Sequence, residues 1–61
     1  MTEYTVLLVG GTVGTINANT LDGQHAEAFI GEYVDVHLHD ENGFPIEEYG
    51  ILEEVLEVNE Y

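Results

Sequence analysis

Asp35, His37 and His39 are the residues of this sequence whose types and spacing could do chemistry. They lie two positions apart in Tyr33-Val-Asp35-Val-His37-Leu-His39, so on an extended strand all three project to the same side. Two neutral imidazoles with a carboxylate suit zinc, nickel or copper, and His25 could supply a fourth ligand from a loop. No C-x-x-C or H-E-x-x-H pattern accompanies them. The plainer reading is a polar strand face that happens to carry two histidines, and no cofactor is expected.

Other chemistry has less to work with. Val9-Gly10-Gly11-Thr12-Val13-Gly14 follows an apolar run, but its spacing is not G-x-G-x-x-G and no lysine stands ready for a phosphate, so these glycines fit a tight hairpin. Asp40-Glu41-Asn42-Gly43 lacks the twelve-residue alternation of a calcium loop and fits a turn. The chain has no Cys, Lys, Arg or Ser, which removes most nucleophiles and every fixed cation that could hold an anionic transition state. Glu47-Glu48 and Glu53-Glu54 pair carboxylates, but glycosidase-type chemistry needs them in a cleft that so short a chain can scarcely build. An enzyme is therefore the least expected class.

The carboxylates themselves form the largest constellation. Thirteen Asp and Glu with no Lys or Arg give a formal net charge of -13. Only Glu3 and Asp22 fall before residue 27, so the field is concentrated in the rest of the chain. Direct binding to nucleic acid or anionic membrane through phosphate contacts needs basic residues and is excluded. The expected partner is a basic protein surface. In size and charge the chain resembles the DNA-mimic inhibitors made by phages and plasmids, and that resemblance implies a nucleic-acid-binding protein as target. The expected contact residues are Asp35, Asp40, Glu47, Glu48, Glu53, Glu54 and Glu57, with Tyr33 and Tyr49 as aromatic anchors.

These residues need elements to position them. Thr5–Val9 and Thr12–Ile16 read as two short strands around Gly10-Gly11. Asp22-Gly23 is a hairpin-type signal, and Ala26–Ile30 a short segment closed by Gly31. From Glu32 to Asp40, Val34, Val36 and Leu38 alternate with polar residues, which predicts a half-buried strand. Asn42-Gly43 then reverses the chain, and Pro45 places the start of the returning strand near Ile46. Residues 46–58 carry two patterns. Ile51, Leu52, Val55 and Leu56 against Glu53, Glu54, Glu57 and Glu60 make an amphipathic helix, an α+β alternative. Gly50, and like charges such as Glu53 and Glu57 four apart, favour strands instead.

With strands, Gly31-x-x-Val34-x-Val36-x-Leu38-x-Asp40-x-Asn42-Gly43 followed by Gly50-x-Leu52-x-x-Val55-Leu56 resembles the central hairpin and final strand of SH3-like or Tudor-like small β-barrels. The resemblance covers under half the chain and implies a binding module. The expected fold is all-β, an SH3-like barrel or strongly twisted antiparallel sheet of about five short strands, in one domain over residues 1–61.

At 61 residues and without disulfides, stability should be about 3–5 kcal/mol. Self-association of a barrel burying Val34, Val36, Leu38, Leu52 and Leu56, or docking in a larger complex, is the alternative function that follows. No signal peptide or ~20-residue apolar span is visible, so a cytoplasmic protein is expected.

Overall fold

The structure, a computed structural model, describes residues 1–60. It is all-β apart from two 3-10 turns, with four antiparallel strands closed into one barrel. Strand β1, Thr2–Leu8, buries Tyr4, Val6 and Leu8 on alternate positions, as period 2 requires. At the Gly10-Gly11 reversal, the Leu8 N–H donates to the Thr12 carbonyl at 2.8 Å and the Gly11 N–H to that of Leu8 at 3.0 Å. Strand β2, Val13–Asn17, then runs back along β1 with Ile16 opposite Tyr4 and Gly14 opposite Val6.

Gly14 is dictated by packing. A Cβ there would stand 2.7 Å from Cγ2 of Val36 and 3.1 Å from the His37 carbonyl oxygen, so only a hydrogen side chain lets β2 cross the barrel so closely.

The link from β2 to the third strand folds as 3-10 turns at Ala18–Leu21 and Ala26–Phe29. Asn17 caps the first, its side-chain oxygen accepting the Asn19 N–H at 2.9 Å. Asp22, left-handed at φ 51°, ends that turn, so Asp22-Gly23 closes a 3-10 turn instead of a hairpin. The two turns tuck Leu21 and Ala26 into the core.

Strand β3, Tyr33–His39, shows the expected alternation, with Val34 and Val36 buried and Tyr33, Asp35, His37 and His39 exposed. The following turn is held by Asp40, whose Oδ1 accepts the N–H groups of Asn42 at 2.9 Å and Phe44 at 3.0 Å. Strand β4, Pro45–Glu60, begins with Pro45 opposite His39, a first position where a missing N–H is tolerated.

At β4 the all-β expectation holds and the strand count is corrected. β4 is one strand of 16 residues, so the barrel has four strands and not about five. Gly50 bends the chain without breaking it, and a Cβ there would meet Leu8 Cδ1 at 3.1 Å. Up to Ile51 the strand pairs with β3, and from Leu52 onward with β1. Residues 46–58 are strand, the reading that Gly50 and the like charges favour, and the alternative helix does not form. Leu52, Val55 and Val58 stand opposite Leu8, Val6 and Tyr4, with register shifts that leave Glu53 and Leu56 as extra residues. These are β-bulges, which bend and twist a strand. They let β4 wrap from one side of the barrel to the other.

The core joins Tyr4, Val6, Leu8, Ile16, Leu21, Ala26, Val34, Val36 and Leu52, with Leu38 and Val55 packed at its margin. Leu56, grouped by sequence with the buried aliphatics, is 46% exposed because it occupies a bulge. No helix among the described residues is long and apolar enough to cross a membrane.

Candidate binding face

The outward face of the β3–β4 hairpin follows from register. Tyr33, Asp35, His37 and His39 stand opposite Ile51, Tyr49, Glu47 and Pro45, and directly opposed residues share a face. Tyr33 and Tyr49, diagonal neighbours, stack with ring centroids 5.2 Å apart and planes 14° from parallel. They are 62% and 65% exposed. His37 Nδ1 lies 3.9 Å from Glu47 Oε1. Tyr33, Asp35, Glu47 and Tyr49 are thus brought together as one patch.

Beside this patch the barrel is thinly closed. Between β2 and β3 only Thr15 and His37 pair, and the Thr15 hydroxyl donates to the His37 carbonyl at 3.2 Å. The strands diverge on either side of that contact and leave two open grooves. The first, about 300 Å³, has an apolar floor of Ile16, Leu21, Phe29 and Val34 and a rim of Thr20, Tyr33, Asp35, His37 and Glu47. The second, about 350 Å³, runs over Glu3, Thr5, Val13, Thr15, Leu38 and His39.

The remaining expected contact residues are dispersed. Glu48 stands opposite Val36, on the other side of β4 from Glu47, and is nonetheless exposed. Glu54 and Glu57 lie opposite Leu7 and Thr5 on the β1–β4 side, with Glu53 in the bulge between. Asp40 spends one carboxylate oxygen on its own turn. Every Asp and Glu is exposed except Glu3, which is half-buried, and among the described residues no polar or charged one is buried.

The candidate metal triplet does not assemble. No group of three His, Asp or Glu among the described residues is placed to hold a metal ion. Asp35, His37 and His39 do share one face, but successive same-side positions on a strand are roughly 6.6 Å apart and their side chains stand nearly parallel. They do not converge on one point. His25 is occupied elsewhere, its Nδ1 accepting the Glu27 N–H at 3.1 Å to cap the second 3-10 turn and its ring 4.9 Å from that of Tyr4.

Sequence reasoning missed the groove floor and the open seam, which depend on how the β2–β3 link folds. Counting outward from a two-residue Asn42-Gly43 turn would pair His37 with Glu48, whereas the loop closes at Asp40 and Phe44 and so sets His37 opposite Glu47. Compared with protein-family models, curated proteins and solved structures, the chain matches none.

Proposed function

We propose that the chain is a non-catalytic acidic binding module that engages a basic protein surface in the cytoplasm, with a nucleic-acid-binding protein as target and inhibition by DNA mimicry as its sharpest form. One observation carries the reading: an exposed tyrosine pair sits among carboxylates for which the chain supplies no lysine or arginine. Aromatic anchors inside a complementary charged rim are what a partner of opposite charge uses for affinity and steering.

The test is a titration against a basic DNA-binding protein with duplex DNA as competitor. Affinity should fall by roughly tenfold or more between about 50 mM and 200 mM salt, and DNA should displace the chain. Binding that is indifferent to both salt and DNA would sink the reading.

A further inference from the structure

We propose that the first groove seats an arginine side chain carried on an extended segment of the partner. The proposal rests on the basic-partner reading and adds to it a site and a residue type. Three features of the groove select that occupant. Its floor of Ile16, Leu21, Phe29 and Val34 is apolar, which suits the aliphatic stem of a long basic side chain whose charged head stays at the rim. At the rim, Asp35 and Glu47 lie on adjacent strands in diagonal register, a separation of roughly 7–8 Å between backbones. Two carboxylates so placed flank a planar guanidinium, whose five N–H donors fan out to both sides. Tyr33 forms one wall, and because Tyr49 stacks on one face of its ring, the other face is left for a cation.

Arginine is favoured over lysine on each count. A guanidinium is flat, weakly hydrated and stacks on aromatic rings, whereas an ammonium is a compact, strongly hydrated point charge that cannot meet two carboxylates in one plane. The groove is also short, at the small end of ligand sites, so it holds one side chain and not a folded surface. The second groove has no tyrosine wall and only one carboxylate, Glu3, in its lining.

The test uses two extended peptides of equal charge, one with a central arginine among lysines and one with lysine throughout, titrated into the full chain at low salt and followed by NMR. The arginine peptide should bind roughly 2- to 30-fold tighter, with shifts centred on Leu21, Tyr33, Asp35 and Glu47. The pair Asp35→Asn and Glu47→Gln should erase the preference, while Glu54→Gln with Glu57→Gln, an equal change of charge on the β1–β4 side, should keep it. Tyr33→Leu should erase it and Tyr33→Phe retain it, the latter guarding against a folding artefact. Equal binding of the two peptides, or equal loss from both carboxylate pairs, overturns the groove and leaves a diffuse acidic surface that still binds basic partners. Failure of both peptides to bind overturns the basic-partner reading together with the groove.

Discussion

At the scale of single residues, the positions that matter most are those where one atom decides whether strands can meet. Gly14 is the sharpest case, because Val36 occupies the space where its Cβ would be. Gly14→Ala is expected to cost about 1–3 kcal/mol through overpacking, measured as a lowered urea midpoint with unchanged slope. Val36→Gly in the same chain removes both the Cγ2 and the Cβ that the added methyl would meet at 2.7 and 2.8 Å, so the double change should cost less than the sum of the two single ones, a coupling that two independent sites would not show. Gly50 presents the milder version, since its close neighbour is the flexible end of Leu8. The sequence marks both as glycines within apolar runs, but only the crossing of β2 over β3 explains why Gly14 admits nothing larger.

At the scale of elements, β3 carries one pattern and β4 two, for a physical reason. In β3 nothing interrupts the ladder with β4, so the period of two survives from Tyr33 to His39. In β4 the extra residues Glu53 and Leu56 put the positions that face β1's buried side at 52, 55 and 58, of which Val58 is exposed at the barrel's end. A spacing of three is a helical spacing, and the strand accordingly imitates an amphipathic helix in one dimension. The face of the candidate site that lies on β3 could therefore be read from alternation, while the groove floor, drawn from Ile16, Leu21 and Phe29 on separate elements, could not. The two readings of β4 differ in which leucine is structural. Leu52, 1% exposed, and Leu56, 46% exposed, would be near-equivalent on a helix face, whereas in the barrel Leu52→Ala should cost about 2–5 kcal/mol and Leu56→Ala less than about 1 kcal/mol. Thermal unfolding of the two variants measures the difference. Comparable losses would speak against the bulged strand.

At the scale of the whole molecule, charge competes with closure. The principal extents are 32 × 27 × 17 Å, so at about 10 mM salt, where the Debye length is about 30 Å, almost every carboxylate feels almost every other. Near 1 M the length is about 3 Å and the repulsion is local. The thermal midpoint should therefore climb by several degrees between those concentrations of sodium chloride. Glu53→Gln, Glu54→Gln and Glu57→Gln together should raise the low-salt midpoint and flatten the climb. A midpoint independent of salt in both proteins would mean that the net charge does not limit stability.

The pairing of β1 with the far half of β4 also has a consequence in time. It joins residues 2–8 to residues 52–60, so the largest set of contacts closing the barrel spans nearly the whole chain. Loops of that length are entropically costly to close before any contact rewards them, and folds dominated by such pairings form in milliseconds to seconds, where helical bundles take micro- to milliseconds. The β3–β4 hairpin, local in sequence, is free to form early. So is the β1–β2 hairpin, joined by the Gly10-Gly11 reversal. Only the seam between β1 and the far half of β4 has to wait, and its closing joins the two hairpins into a barrel.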